Sequence, residues 1–408
     1  MNIPSNTLRD AKRLFGRLKH LRCKLPALQH LMLTAGQNGV QLAATDLDHW
    51  LETQISDQPT ESACFLIPPA AMDAACRADK GSNVTMVACG GKRSRECLGR
   101  DSGATKPRSA SRMARAERGQ IRLTIQCGGI TATSAYPTLD PSELPSRPLT
   151  IGTVTELPPA TMEGLASVAG CASTDTTRQI LNGVLFTPED GGRLVATDGK
   201  RLACCPATVP AQSFVLPLAA CHILGHPDFT TGPAAVTWID HKDPEKRHVA
   251  IHCGRHQLVS KPLIGNYPNY KQVIPACSDQ MAVIPHDRKP GVIAWLRSVG
   301  KDQASVRLDS HKRGQLTLSH RDANGHSSTM QVPVEIHGSP PVIAFNARYL
   351  ADALEIGSTL CFSDELSPGI CRHPTGRFCV IMPMRVTIPA GTTREIEAAP
   401  TNHAKAAA

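Results

Sequence analysis

Phe65-Leu66-Ile67-Pro68-Pro69-Ala70-Ala71 returns 149 positions later as Phe214-Val215-Leu216-Pro217-Leu218-Ala219-Ala220. A second pair keeps nearly the same offset: Ala44-Thr45-Asp46 returns 152 positions on as Ala196-Thr197-Asp198. Two short matches at almost one spacing mark an internal duplication. Duplication outranks any single motif in deciding the fold, because a chain built from copies of one unit is usually a scaffold whose shape is its function.

Working outward from these stretches uncovers a fainter third copy. Val40 and Leu42 alternate into Thr45-Asp46, and Leu316 and Leu318 alternate into Arg321-Asp322. Ile343-Ala344-Phe345-Asn346-Ala347 then stands where the Phe-x-x-Pro segments stand. Each copy opens with apolar residues at helical spacing: Leu8, Ala11, Phe15 and Leu18; Met162, Leu165 and Ala169; Val292, Trp295 and Val299. A helix, strands ending in a turn, then a strand leading into a second helix make one α+β unit. Three such units in 408 residues give roughly 130 residues apiece, an ordinary domain size.

Composition bounds the class. No apolar run reaches the roughly 18 residues of a membrane span, and Met1-Asn2-Ile3-Pro4-Ser5 lacks a basic-then-apolar signal layout. The 15 cysteines are odd in number, scattered and free of any C-x-x-C pair. Free, mostly buried thiols in a reducing cytoplasm are therefore expected, with no membrane partner. Cys221-His222 with His226, and Cys371 with His373, are the nearest approaches to a zinc set. Neither supplies the four converging ligands that zinc needs, so no metal is expected.

The net charge of +9 is concentrated in two places. Residues 1–24 carry Arg9, Lys12, Arg13, Arg17, Lys19, Arg22 and Lys24 against Asp10 alone. Residues 92–118 carry nine Lys and Arg against Glu96, Asp101 and Glu117. The rest of the chain is slightly acidic. The first patch lies on the polar face of the opening amphipathic helix. The second is rich in Gly, Ser, Arg and Ala without periodicity and reads as an insertion at about 81–118. Duplex DNA attracts such surfaces through its backbone, without sequence reading. Aromatic residues are only 4% of the chain and do not interleave with the basic ones, which argues against a stacking platform for single strands.

Catalytic signatures are missing. Gly90-Gly91-Lys92 resembles a phosphate loop, but position 86 is Met and Arg93 follows the lysine. No G-x-S-x-G or H-E-x-x-H occurs, and the sixteen histidines are dispersed. Asp46, Asp198 and Asp322 recur at matching places in the three copies. Groups at matching places in separate units point to separate places, so these residues are expected to close turns by bonding to backbone. No catalytic residue and no cofactor is assigned.

At Val195-Ala196-Thr197-Asp198-Gly199-Lys200-Arg201-Leu202-Ala203 the chain resembles a known family, the bacterial DNA polymerase III β subunits, or sliding clamps. Leu181-Asn182-Gly183-Val184-Leu185-Phe186 stands ahead of this loop at the family's spacing. Asn266-Tyr267-Pro268-Asn269-Tyr270-Lys271-Gln272-Val273-Ile274-Pro275 resembles the family's F-P-D-Y-x-x-V-x-P segment. Val380-Ile381-Met382-Pro383-Met384-Arg385-Val386 resembles its V-V-M-P-M-R-L, and Arg22 with Leu25-Pro26-Ala27-Leu28 resembles its R-x-x-L-P-I-L. Similarity covers about residues 7–80 and 120–386, in order.

The resemblance implies an α+β DNA-clamp fold. Three similar domains per chain form half of a pseudo-sixfold ring, with inner helices and outer sheets, closed by a second copy as a homodimer. Its divisions here are 1–150 with the basic insertion, 151–278, 279–388, and a disordered tail at 389–408. It also implies the job of a non-catalytic processivity factor in DNA replication, one that encircles duplex DNA and tethers the replicative DNA polymerase catalytic subunit. The clamp loader and repair proteins with clamp-binding peptides would share one peptide pocket. Carried over position by position, that pocket comprises Leu181, Thr197, Gly199, Lys200, Arg201, Leu202, Pro268, Val273, Leu366, Val380, Met382, Pro383 and Met384. DNA contacts fall to Arg22, Lys24, Arg77, Arg178, Arg13 and Arg17, and the subunit interface to Ile130 and Val299.

Departures from the family pattern mark a divergent chain. Gln272 stands where family members often carry Arg, Ala70 where they carry a basic residue, and Gln179 and Ile180 where aromatic residues are common. Two other readings remain. One is a nonspecific DNA-binding adaptor, or a clamp paralogue, that no longer closes a ring. The other is an enzyme with a dispersed active site.

Overall fold

The structure, a computed structural model, describes residues 1–18, 25–89, 119–127, 129–148, 150–230, 232–276, 279–299, 304–310, 314–322 and 324–385. Arg22, Lys24, most of the basic insertion and the expected tail lie outside the described residues. Seven α-helices are described: α1 (Ser5–Phe15), α2 (Pro69–Arg77), α3 (Pro159–Ala169), α4 (Leu218–Leu224), α5 (Pro227–Thr230), α6 (Lys289–Val299) and α7 (Ala347–Ile356). None is long and apolar enough to cross a membrane.

The repeated Phe-x-x-Pro text is a strand-to-helix corner. Phe65, Leu66 and Ile67 are buried in strand Ala63–Ile67, and α2 follows with Pro69 in its first turn. Proline has no N–H to lose at a helix start and its φ is already helical, so it ends the strand and opens the helix at once. Phe214–Pro217 leads into α4 with Pro217 at the N-cap, the place Pro68 takes for α2, and Leu218 in place of Pro69. The third copy has no proline at this corner. There the Asn346 side chain accepts the N–H groups of Arg348 (3.0 Å) and Tyr349 (3.2 Å) and caps α7 instead.

The order strand, helix, four strands, helix, three strands occurs three times along the chain. The first copy runs from Asn2–Pro4 to Ile130–Pro137, the second from Thr153–Leu157 to His256–Ser260, and the third from Gln280–Val283 to Phe378–Ile381. The second adds α5, and the third adds strand Glu335–His337, which pairs with Gln280–Val283.

The chain forms two compact units. The first holds Met1–Ile274, Glu355–Gly357 and Cys371–Val380; the second holds Pro275–Leu354, Ser358–Ile370 and the residues from Ile381. Within the first unit an eight-stranded antiparallel sheet runs through two copies, because strand His49–Ser56 of copy one pairs with His256–Ser260 of copy two. Trp50 faces Val259 across that joint, and Leu51 faces Leu258. Leu28, Ala43, Trp50, Leu66 and Leu144 of copy one close a core with Ala250 and Val259 of copy two. Burying a leucine side chain contributes about 1.5–3 kcal/mol, so this joint is held as a domain core is held. Arg147 adds polar ties to Glu52 (2.8 Å) and Gln257 (2.5 Å). Position 150 therefore lies inside one unit, whereas the unit changes at Ile274 and Pro275, beside the expected 278.

The first unit contains two further sheets. One is Asn2–Pro4, Asn83–Cys89, Gln120–Cys127 and Ile130–Pro137. The other runs Phe214–Pro217, Gly183–Thr187, Arg193–Thr197 and Arg201–Pro206, continued by the strand of Cys379 and Val380. The second unit carries a four-stranded sheet of Ile343–Asn346, Ser305–Asp309, Gln315–Arg321 and Ser327–Pro333.

Leu8, Ala11 and Phe15 bury one face of α1, and Leu18 beyond the helix end is buried too; Met162, Leu165 and Ala169 do the same on α3. In α6 the deepest pair is Val292 and Leu296, while Trp295 is half-buried and donates its indole N–H to Ser328 Oγ at 3.2 Å. The inward line thus runs i to i+4 rather than through Trp295 and Val299. Among the described cysteines Cys171, Cys204, Cys205, Cys221, Cys253, Cys361, Cys371 and Cys379 are buried. Burial pushes the Cys221 thiol up to about 12.

Candidate functional site

The three recurring aspartates build one turn three times. Asp46 Oδ1 accepts the N–H groups of Asp48 (3.2 Å) and His49 (2.8 Å). Asp198 Oδ1 accepts those of Lys200 (2.9 Å) and Arg201 (3.0 Å), and Asp322 Oδ1 those of Asn324 (2.9 Å) and His326 (2.8 Å). Each carboxylate also receives one basic side chain from its own turn: His49 Nδ1 at 3.1 Å, Arg201 Nε at 3.0 Å and His326 Nδ1 at 3.0 Å. No group of three potential metal ligands converges among the described residues.

The middle turn is the most heavily built. Thr197 Oγ1 accepts the Gly199 N–H at 3.1 Å and donates to the Arg201 carbonyl at 2.7 Å. Gly199 has φ +84°, a conformation glycine adopts without strain. An added Cβ there would lie 3.1 Å from Arg178 Nη1, so the Arg178 guanidinium sits over this glycine. Arg201 is only 7% exposed. Its Nη2 donates to the carbonyl of Gly170, the C-cap of α3, at 2.7 Å, which adds a favourable charge at the negative end of that helix.

Neighbouring segments gather around this turn within the first unit. Gly265 lies 3.4 Å, measured from where its Cβ would stand, from Ile180. The Tyr267 hydroxyl meets the Val195 carbonyl at 3.5 Å, and burial pushes that phenol up. Asn269 caps the short 3-10 turn Tyr270–Val273 by accepting the Lys271 N–H at 3.3 Å. Lys271 Nζ in turn stands 3.0 Å from both Glu189 and Asp190. Gly183 begins strand Gly183–Thr187, where a Cβ would lie 2.3 Å from the Leu216 carbonyl, so the Leu-Asn-Gly text marks a close backbone approach.

Of the thirteen residues carried over to the pocket, Leu181, Thr197, Arg201, Leu202 and Val380 are buried, and Gly199, Lys200, Pro268 and Val273 are exposed, all in the first unit. The Arg201 guanidinium is turned inward onto Asp198 and Gly170. Leu366, Met382, Pro383 and Met384 belong to the second unit. There Leu366 is 72% exposed, Met382 is 42% exposed, and the Met384 N–H bonds to the Ala344 carbonyl at 2.7 Å.

Of the residues carried over for DNA, Arg13, Arg17, Arg77 and Arg178 are among the described residues. Arg13 and Arg17 lie on the exposed face of α1 and at its end, Arg77 closes α2, and Arg178 stands beside Gly199. Arg17 Nη1 donates to the His222 carbonyl at 2.6 Å, joining the first helix of copy one to the second helix of copy two. Ile130 is 74% exposed at the head of strand Ile130–Pro137, and Val299 is the half-buried last residue of α6.

One recurrence escaped the sequence reading. Tyr136-Pro137 and Leu144-Pro145 bracket a 3-10 turn capped by Asp140, as Tyr267-Pro268 and Ile274-Pro275 bracket the one capped by Asn269. The signal was the repeated Tyr-Pro, hidden by a one-residue difference in length between the copies.

No protein-family model matches the chain. A beta sliding clamp from Synechococcus elongatus is 27% identical over 376 residues, covering 89% of this chain and 91% of that protein. One from Caulobacter vibrioides is 30% identical over 228 residues, 52% of this chain and 60% of its own length. Among solved structures, a C. crescentus beta sliding clamp superposes with a TM-score of 0.74 at 22% identity, over 94% of this chain and 98% of that one. A Thermotoga maritima DNA polymerase III beta subunit gives a TM-score of 0.71 at 20% identity, over 95% of this chain and 99% of its own.

Proposed function

We propose that this chain, a divergent relative of the bacterial beta sliding clamps, works as a DNA sliding clamp: a homodimer of three-domain subunits that closes around duplex DNA and holds a replicative polymerase to it. The domains are 1–150, 151–278 and 279–388. Nothing in this job requires the chain to make or break a bond.

One observation carries the reading. The third of the four central strands in copy one, His49–Ser56, pairs with the last strand of copy two, His256–Ser260. The third central strand of copy two, Arg201–Pro206, lies beside the last strand of copy three. The same joint is thus used twice. Among the described residues, its two halves are left over at the ends of the series: Ser327–Pro333 in copy three and Ile130–Pro137 in copy one, each an edge strand. Open edges are unstable in solution and seek partners. Joining them between two chains in both directions repeats the internal joint, closes a cycle of six copies and leaves no edge of this kind free.

The exposure of Gly199, Lys200, Pro268 and Val273 in the first unit supports a peptide-binding surface there, for partner peptides of the polymerase, the clamp loader and repair proteins. In the second unit the exposure of Leu366 and Met382 supports the same role. The basic face of α1 supports contact with duplex backbone.

A topological experiment tests this. Protein assembled on a nicked circular duplex is expected to stay bound through gel filtration and to be lost when the circle is linearised. Equal retention on circles and linear fragments would leave a surface binder as the answer.

A further inference from the structure

The groove between α1 and α2 is lined by Arg9, Lys12, Arg13, Gly16, Arg17 and Cys76. Two of its cations are fixed by carbonyl oxygens. Arg9 Nε donates to the Cys76 carbonyl at 2.8 Å and Nη2 to that of Ala78, closing the end of α2, and Arg17 donates to His222. Carbonyls are neutral, so both guanidinium charges persist while their positions are set. Arg13 meets Asp10 only at 3.5 Å.

Lys12 differs. Its ammonium lies 2.7 Å from Asp73 Oδ1 on α2, with the two side chains 48% and 44% exposed. An ion pair this open contributes about 0–1 kcal/mol to folding. Stability is therefore a weak reason for an acid held against a lysine of a cationic groove. Resting on the clamp reading above, we propose that Asp73 sets the strength of this groove's grip on duplex DNA. It engages Lys12 and brings a negative charge to the groove's wall, so that a phosphate reaching Lys12 must displace the carboxylate.

The physical case is one of evenness. Each Lys–phosphate contact with duplex DNA releases about 0.9 of a counterion. A contact that forms outright is a local energy well, and a ring that must travel along a helix is slowed by every such well. A carboxylate that competes for the same ammonium makes the well shallow, because leaving a phosphate regains an ion pair rather than a bare charge. Asp73 is a tuning residue in this account and touches no reacting atom.

The test uses the full-length protein and a linear blunt-ended duplex, followed by fluorescence anisotropy across a salt series. Asp73→Asn keeps the side-chain shape and removes the charge. It is expected to raise affinity about three- to tenfold at 0.1 M salt and to steepen log K against log salt by about one. Lys12→Ala in the Asp73→Asn background should erase the gain, which ties the effect to this pair. Thermal melting of each variant shows whether it has kept its fold. Wild-type affinity and slope in Asp73→Asn, or a gain that survives Lys12→Ala, would overturn the proposal. Failure of the clamp reading is seen separately, on wild-type protein, as retention that ignores whether the circle is closed.

Discussion

Arg201 holds Asp198 through Nε at 3.0 Å and reaches the Gly170 carbonyl through Nη2 at 2.7 Å, so one buried guanidinium ties the turn after strand Arg193–Thr197 to the end of α3. The exposed residues Gly199 and Lys200 lie between Asp198 and Arg201 in the same turn. Their placement follows from a side chain that is itself 7% exposed. Arg201→Met is expected to destabilise the protein by about 3–5 kcal/mol, since it removes one partner of a buried pair and orphans the other. Urea denaturation reads this directly, and a loss below about 1 kcal/mol would contradict the structural role.

Two turns at matching places differ in their second residue. Gly199 has φ +84° and Leu47 has φ +81°. A side chain in this region costs about 1–2 kcal/mol. Gly199→Ala should therefore lose about 1 kcal/mol and displace Arg178. Leu47→Gly should gain up to about 1 kcal/mol, less what the more flexible unfolded chain takes back. Opposite signs in paired melting curves check the prediction.

Burial alone would push the Asp46 carboxyl up, but the hydrogen bond and charge of His49, with backbone N–H donors, bring it below its ordinary range. A carboxyl lowered in the folded state stabilises at pH above its unfolded value, and that contribution fades as pH falls through the folded value. Asp46→Asn should thus be less stable than wild type at pH 7 by about 1–3 kcal/mol. The charge-dependent part of the difference should begin to shrink below about pH 4, where the unfolded chain's carboxyl takes up its proton, and vanish once the folded one does so at lower pH. A gap independent of pH would rule out the ionised form as the source.

Val273 is 44% exposed and Leu181 is 7% exposed. Val273→Ala should weaken binding of a polymerase-derived peptide several-fold with little change in melting. Leu181→Ala should also destabilise the fold by about 2–5 kcal/mol. Calorimetric titration beside thermal melting separates the two, and unchanged peptide affinity in Val273→Ala would remove that residue from the proposed peptide site.

Among the described residues Ile130 heads an edge strand whose side chains are exposed except for the half-buried Tyr136. Ile130→Arg places a charge in the proposed subunit joint and should shift sedimentation from dimer to monomer at micromolar concentration. A dimer of wild-type strength would move the joint elsewhere.

Much of the fold was legible because its signals are local. Phe-x-x-Pro-x-Ala-Ala reads as a strand turning into a helix wherever it occurs, since proline acts on its own backbone. The aspartates that recur after alternating apolar residues read as turns, and each accepts backbone N–H groups within four positions. Helical spacing placed the inward face of α1 and α3. In α6 it chose Trp295 over Leu296, because periodicity weighs size and polarity but cannot see that an indole N–H has Ser328 within reach.

The braces made by the arginines were not legible. Arg9 read as a cation of the opening helix, Arg17 as a DNA contact and Arg201 as a pocket residue, and each also bonds to a carbonyl, at sequence separations of 67, 205 and 31. Nor was it legible that Arg178 lies over Gly199. By itself the sequence determined that one α+β unit is used three times, because corners, caps and apolar alternation depend on residues a few places apart. Only the tertiary structure decided which cations brace the fold and which face outward, and which strands remain unpaired. Those outcomes depend on what a long side chain or a sheet edge meets after the chain has returned on itself.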